Sequence, residues 1–153
     1  MYQRIVVPLD GSEVATVALP HARDAAKTHD APILVVRVVD PPFVNSVRIL
    51  KAGTQTLMAD PADVYQDEVD RAHEYIDRQV QRLERDGFEA SGLVMVGHAA
   101  TAIAEAINET DLVVMSSHGR SGVRRWFLGS VAEDILKRTS VPVLIVRQPA
   151  SSS

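Results

Sequence analysis

The chain has 153 residues, of which 46% are hydrophobic, so it is long enough and apolar enough to build one domain around a continuous core. Its 16 lysine and arginine residues against 20 aspartate and glutamate residues give a formal net charge of −4, which argues against a DNA partner. The sequence has no cysteine, no apolar leader and no run of about 18 apolar residues, which excludes disulfides and thiolate metal sites and predicts a cytoplasmic protein without a membrane segment.

The first elements along the chain are a predicted strand and a helix. Ile5 to Leu9 is a β-branched apolar run that ends in Asp10-Gly11-Ser12, which is typical of a buried strand that turns sharply into a helix. Small apolar residues then recur at helical spacing from Ser12, a candidate N-cap, to about His29. We expect Pro20 to kink this helix, because its ring displaces a backbone hydrogen bond.

A second strand and a long connection follow. Ile33 to Val39 is another β-branched run, interrupted only by Arg37. From Pro41 to Asp60 no periodic pattern is visible, so we predict a long connection there.

The second half of the chain continues to alternate helices and strands. Asp60-Pro61 supplies an N-cap and a first-turn proline for a strongly amphipathic helix that ends before Gly87. The remaining predicted elements are a strand from Gly92 to Val96, a helix from Ala99 to Asn108, a strand from Leu112 to Met115, a helix from Ser130 to Arg138 and an edge strand from Val141 to Val146 that contains Pro142. We assign residues 1–149 to a single domain and residues 150–153 to a polar tail.

This order of elements predicts the fold class. Strands that alternate with helices need right-handed crossovers, which build a parallel sheet covered on both faces. We therefore predict a doubly wound α/β fold with five parallel strands. A ligand in such a fold binds beyond the carboxyl ends of the strands, where the strand order reverses.

A basic, glycine-containing loop after the fourth strand is the best local indication of function. Three arginines and no acidic residue lie between His118 and Ala132, and Gly119 and Gly122 allow the backbone to curl around phosphates. Gly129-Ser130 would add backbone N–H groups and a hydroxyl at a helix N-terminus. Alternatively, Ser130 and Glu133 form an S-x-x-E capping box that only starts the helix, and the two roles can coexist.

Other polar residues allow more than one interpretation. Asp10 is either a turn residue or a ligand for ribose or a metal ion. His118 has no partner at a spacing that identifies a catalytic pair, and the remaining histidines lack metal-ligand spacing, so no metal site is expected. Neither a P-loop nor a G-x-G-x-x-G segment after the first strand is present.

Several segments together resemble the universal stress protein family over nearly the whole chain. They are the segments Val6 to Ser12, Val36 to Asp40, Ser117 to Val131 and Val141 to Val146. The nucleotide-binding branch of that family has a glycine, two residues, a second glycine, nine residues, and a glycine followed by serine or threonine. Gly119 and Gly129-Ser130 match this pattern, whereas Ser116 stands at the first glycine position and its Cβ restricts a close approach.

The resemblance implies a Rossmann-like fold, similar to the adenine nucleotide alpha hydrolases, and a site for ATP, ADP or AMP at the carboxyl ends of strands 1 and 4. The implied nucleotide-binding residues are Pro8, Leu9 and Asp10 on the adenine and ribose side, Val38 near the base, Met115 and Ser116 closing that pocket, and Gly119, Gly129, Ser130 and Val131 on the phosphates. His118 and Arg120 are further candidate phosphate contacts, and a bridging Mg²⁺ is compatible with this arrangement.

The resemblance also implies a role. It indicates a nucleotide-dependent regulatory module of the stress response that forms homodimers through the last strand, Val141 to Val146. We expect a slow ATPase at most, because no general base or arginine is positioned by a known motif. A nucleotide-free dimeric adaptor of the same family is the alternative, and an ATP-consuming transferase is disfavoured because neither an H-x-G-H nor an S-G-G-x-D-S segment occurs.

Overall fold

The predicted alternation of strands and helices is present in the computed structural model, which describes residues 1–41, 61–118 and 128–148. The strands are β1 (Arg4–Pro8), β2 (Ile33–Val39), β3 (Ala90–Val96), β4 (Asp111–Ser116) and β5 (Val143–Val146). The helices are α1 (Glu13–Thr16), α2 (Ala18–His29), α3 (Pro61–Arg85), α4 (Ala99–Ala106) and α5 (Ser130–Arg138). The predicted connection, apart from Pro41, and the polar tail lie outside the described residues.

The five strands form one parallel sheet in the order β3-β2-β1-β4-β5. The chain builds outward from β1 through β2 to β3, then crosses to the other side of β1 to add β4 and β5. The strand order therefore reverses between β1 and β4. This confirms the predicted five-stranded, doubly wound α/β fold.

Both faces of the sheet are covered by helices, which explains why the strands consist mainly of apolar residues. Successive side chains of a strand point to opposite faces. Ile5 and Val7 of β1 therefore pack with α1, α2 and α3, a side that we call the α1–α3 face. Val6, which lies between them, packs with α4 and α5 on the α4–α5 face. All three side chains are fully buried.

The helix predicted from Ser12 to His29 is two helices. Its N-cap is confirmed, because the Ser12 hydroxyl accepts a hydrogen bond from the Ala15 N–H at 3.2 Å. The break comes at Val17, which leaves Pro20 in the first turn of α2. A proline is tolerated there, since the N–H groups of a first turn have no partner within the helix.

Smaller differences concern element ends. α4 stops at Ala106, two residues before the predicted end, because Ile107 is already extended. β5 begins at Val143, two residues after the predicted start, and it is an edge strand as expected from Pro142. Within the described part of the chain, no helix is long and apolar enough to cross a membrane.

Candidate functional site

A cavity of about 320 Å³ lies at the carboxyl ends of β1 and β4, where the strand order reverses. The end of β1 is held in place because the Leu9 N–H donates to the Val36 carbonyl of β2 at 2.8 Å. This position is the usual ligand site of a doubly wound sheet, and the volume lies within the range of small-molecule sites.

Wherever the structure describes them, the residues predicted for the site line this cavity. They are Pro8, Leu9, Asp10, Val38, Met115, Ser116, His118, Gly129, Ser130 and Val131. Gly119 and Arg120 lie outside the described residues. The cavity therefore brings together segments that are more than 100 residues apart in the sequence, because parallel strands end at the same edge of the sheet.

The cavity wall is chemically divided. Val38, Ile103 and Met115 contribute apolar side chains from β2, α4 and β4. Ser117, His118 and Ser130 contribute polar groups from the junction between β4 and α5. A wall with one apolar part and a few polar groups suits a ligand with a flat apolar ring and a charged end.

Asp10 is both a turn residue and a cavity residue. Its Oδ1 accepts hydrogen bonds from the N–H of Ser12 at 2.9 Å and from the Ser12 hydroxyl. Gly11 between them has φ of +87°, a backbone conformation that favours glycine. Since Asp10 is only partly buried and lines the cavity, the turn interpretation and the ligand interpretation are compatible.

Ser116 occupies the glycine position of the family pattern without backbone strain. Its hydroxyl donates to the His118 carbonyl at 2.7 Å, and the side chain is 8% exposed. In the described part of the chain, Asp30 is the only non-glycine residue with positive φ, so the backbone of Ser116 is ordinary for an L-residue. The serine side chain is therefore folded back onto its own loop.

The start of α5 approaches the end of β4 very closely. The Gly129 N–H donates to the Ser117 carbonyl at 2.7 Å. A Cβ added at Gly129 would lie 2.9 Å from the same oxygen, closer than real Cβ atoms come. Gly129 is thus the residue that allows the helix N-terminus to reach the cavity.

The predicted capping box is wrong. Gly129, which has extended φ and ψ of −60° and 151°, is the N-cap of α5, and no side-chain hydrogen bond caps the helix. Ser130 is therefore the first helical residue, and its exposed side chain is one position too late to act as the cap. The first N–H groups of α5 are left for water or a ligand.

His118 presents one ring nitrogen to its neighbour and keeps the other buried. Its Nδ1 lies 2.9 Å from the Ser117 hydroxyl. Its Nε2 is buried, and the structure gives it no hydrogen-bond partner among the residues it describes. Buried polar atoms normally have partners, so a ligand oxygen in the cavity would satisfy this nitrogen.

Sequence reasoning missed three charged residues of the cavity wall, Arg37, Asp40 and Glu68. Arg37 did carry a signal, since it is the one charged residue in the apolar run of β2 and it is 8% exposed. Asp40 carried a weaker signal, since it follows β2 at the carboxyl edge of the sheet, and Glu68 carried none. The place of Glu68 depends on how α3 packs against the sheet, which the local pattern does not predict.

Tyr75 of α3 lies next to this charged group. The guanidinium carbon of Arg37 is 5.3 Å from the centre of the Tyr75 ring. Burial raises the pKa of Tyr75 above its ordinary value, and the carboxylate of Asp10 raises it further, while Arg37, Arg82 and Arg78 act in the opposite direction. Among the residues with described positions, no three histidine, aspartate or glutamate side chains cluster as metal ligands.

Comparison with known proteins gives a family for the chain. The model of the universal stress protein family matches residues 1–147. Universal stress protein MJ0531 of Methanocaldococcus jannaschii is 33% identical in an alignment 152 residues long, which covers 97% of this chain and 84% of that protein. Stress response protein NhaX of Bacillus subtilis is 31% identical over 161 residues, covering 94% of this chain and 97% of that protein.

Solved structures agree with this result. Protein MJ0577 of M. jannaschii superposes with a TM-score of 0.80 at 25% identity and covers 99% of both chains. A universal stress protein in complex with cAMP has a TM-score of 0.65 at 23% identity, covering 95% of this chain and 97% of that one. The universal stress protein from Archaeoglobus fulgidus in complex with dAMP has a TM-score of 0.58 at 20% identity, with 94% and 97% covered. These two likenesses concern the fold alone, but the match of the family model over residues 1–147 is independent of them. The chain belongs to the universal stress protein family.

Proposed function

We propose that this protein is a regulatory module of the stress response that binds an adenine nucleotide, with ATP as the first choice, in the cavity at the carboxyl ends of β1 and β4. The observation that carries the proposal is the uncapped N-terminus of α5 facing the same cavity as an apolar wall. Two structural neighbours hold cAMP and dAMP, and both ligands combine an adenine ring with a phosphate.

The chemistry of the wall suggests how the nucleotide would lie. The adenine ring would pack against Val38 and Met115, and the ribose hydroxyls would donate to the carboxylate of Asp10. The phosphates would accept from the N–H groups of Ser130 and Val131 in the first turn of α5, where the helix dipole favours an anion. A Mg²⁺ ion that accompanied the nucleotide would supply charge neutralisation of the phosphates.

We propose binding rather than rapid hydrolysis. A histidine that acts as a general base is commonly oriented by a carboxylate, which stabilises the protonated ring. The polar partner of His118 Nδ1 is the neutral hydroxyl of Ser117. His118 is therefore better placed to contact a phosphate than to activate water.

The proposed assembly is a homodimer through β5. This strand is at one edge of the sheet, and its Leu144 side chain is 41% exposed. An exposed apolar edge strand is normally covered, because its unpaired backbone groups invite further pairing. The cytoplasmic location predicted from the sequence stays a prediction.

The nucleotide-free adaptor depended on Ser116 as an obstacle. In the structure the Ser116 hydroxyl is engaged with the His118 carbonyl and the backbone is unstrained, so the serine leaves the cavity open. The nucleotide-free adaptor is therefore the alternative against which nucleotide binding is tested. In the test, purified protein is denatured and the supernatant is examined for adenine nucleotide by chromatography. Release of about one nucleotide per chain supports the proposed binding. If no nucleotide is released and the protein takes up no added ATP, the adaptor is supported.

A further inference from the structure

Arg37 is a charged residue inside an otherwise apolar strand. Its neighbours on the same face of β2, Ile33 and Val35, belong to the core of the α1–α3 face, and Arg37 itself is 8% exposed. Burying a guanidinium is unfavourable unless it is paired and hydrogen-bonded. A buried arginine that also lines the cavity therefore calls for an explanation through the ligand site.

The guanidinium lies directly against the Asp10-Gly11-Ser12 turn. A Cβ built on Gly11 would lie 2.8 Å from Nη1 and 3.1 Å from Cζ of Arg37. Gly11 leaves this space free and at the same time adopts the left-handed φ that the turn requires. The guanidinium carbon also lies 5.3 Å from the centre of the Tyr75 ring, over its face. Arg37 is thus held between the turn that carries Asp10 and helix α3.

Among the described residues, the other formally charged side chains that line the cavity with Arg37 are acidic. They are Asp10, Asp40 and Glu68. Three carboxylates would repel an anionic ligand, and a guanidinium among them offsets part of that repulsion. Its planar fork also holds a carboxylate in a defined orientation, which the point charge of a lysine does not do.

We propose that Arg37 is a positioning residue for the ribose: it holds the Asp10 turn so that the Asp10 carboxylate accepts the ribose hydroxyls, and it thereby sets a preference for ribonucleotides over 2′-deoxyribonucleotides. The inference rests on the proposed function, since it concerns the same cavity. Because Arg37 acts through Asp10, replacing Arg37 changes the preference for ribonucleotides only while residue 10 can accept a hydrogen bond from the ribose.

The test measures the affinities of ATP and dATP by calorimetry for the full-length protein and its variants. Wild type is expected to prefer ATP by about tenfold, because a hydrogen bond to a charged acceptor discriminates by that order. Arg37→Lys, which keeps the charge but loses the fork, and Arg37→Met are expected to bind the two nucleotides within about threefold of each other. In an Asp10→Ala background, which has no side-chain acceptor, adding Arg37→Lys is expected to change the ratio no further.

A matched control is Arg4→Lys. Arg4 lies on the neighbouring strand β1 and pairs with the buried Asp111 at 2.6 Å, at the amino end of the sheet and away from the cavity. This variant is expected to lose thermal stability and keep the ratio of wild type. If Arg37→Met fails to fold, Arg37→Lys still decides the matter.

The possible results separate this inference from the proposed function. If wild type binds neither nucleotide, the proposed function fails and the inference fails with it. If wild type binds both equally, or if the Arg37 variants lose melting temperature but keep the preference of wild type, Arg37 is a structural residue and only the inference is overturned.

Discussion

The amide of Gly129 donates to the carbonyl of Ser117 at 2.7 Å, and this bond joins the first turn of α5 to the end of β4. The contact is specific to glycine, since a Cβ at residue 129 would lie 2.9 Å from the same oxygen. The place of the helix N-terminus relative to the cavity therefore depends on a missing side chain. This relationship leads to the first prediction.

Gly129→Ala is expected to weaken ATP binding by about tenfold or more, because the added methyl moves the first N–H groups of α5 away from the phosphate position. Calorimetric titration measures the effect. Gly92→Ala is the matched control: its Cβ would clash with Cγ2 of Ile76, between β3 and α3 and outside the cavity lining. The control is expected to lose about 1–3 kcal/mol of unfolding free energy and keep its affinity. Equal affinity losses in the two variants would contradict this account.

Ser130→Ala is expected to weaken ATP binding while leaving the unfolding free energy within about 0.5 kcal/mol of wild type. The reason is that Gly129, not Ser130, is the N-cap, so the hydroxyl is free of any capping role. Urea unfolding and calorimetry on the same variant separate the two effects. A loss of about 1 kcal/mol in stability would show instead that Ser130 caps the helix in solution.

Tyr75→Phe is expected to make the protein less sensitive to alkali. Burial, and then the Asp10 carboxylate, raise the pKa of Tyr75 in the fold above its ordinary value of about 10. Its contribution to stability is therefore complete below pH of about 10 and is lost as the pH rises through the folded-state pKa. Unfolding free energies measured at increasing pH should fall more steeply in wild type than in the variant.

At neutral pH the same variant should be as stable as wild type or slightly more stable. The Tyr75 hydroxyl is buried and has no hydrogen-bond partner in the described part of the chain. Removing a buried hydroxyl that lacks a partner costs little. A clear destabilisation at neutral pH, or parallel pH profiles above pH of about 10, would show that the environment of Tyr75 differs from the one described.

Leu144→Lys is expected to convert the dimer to a monomer, since it places a charge on the exposed face of the β5 edge. Light scattering after size-exclusion chromatography gives the mass directly. Leu93→Lys is the matched control, because Leu93 is 37% exposed on β3 at the opposite edge of the sheet. A wild-type protein that is monomeric at micromolar concentration, or a control that dissociates equally, would argue against pairing through β5.

The sequence predicts those parts of the molecule in which the local residue pattern already matches the place of the segment in the fold. The β-branched run from Ile33 to Val39 predicts β2 to the residue, because a strand buried on both faces is apolar at nearly every position. Since parallel strands end at one edge, Asp10 and Ser116 could also be predicted to meet there. These inferences need no knowledge of how helices pack.

The unpredictable part depends on contacts between distant elements. The choice of Gly129 over Ser130 as N-cap is a difference of one residue, and the close contact with Ser117 decides it. The grouping of Arg37 with Glu68 and Tyr75 depends on how α3 docks onto the sheet. Helical periodicity predicts which face of α3 is apolar, but it does not predict which strand end that face will contact.

The proposed nucleotide site is best tested by calorimetric titration of ATP into nucleotide-free, full-length wild-type protein. We expect saturable binding of about one ATP per chain with a Kd well below about 1 mM, and an affinity reduced by about tenfold or more in Gly129→Ala. No saturable heat at millimolar ATP, or binding that is identical in Gly129→Ala, would contradict a nucleotide site at the junction of β4 and α5.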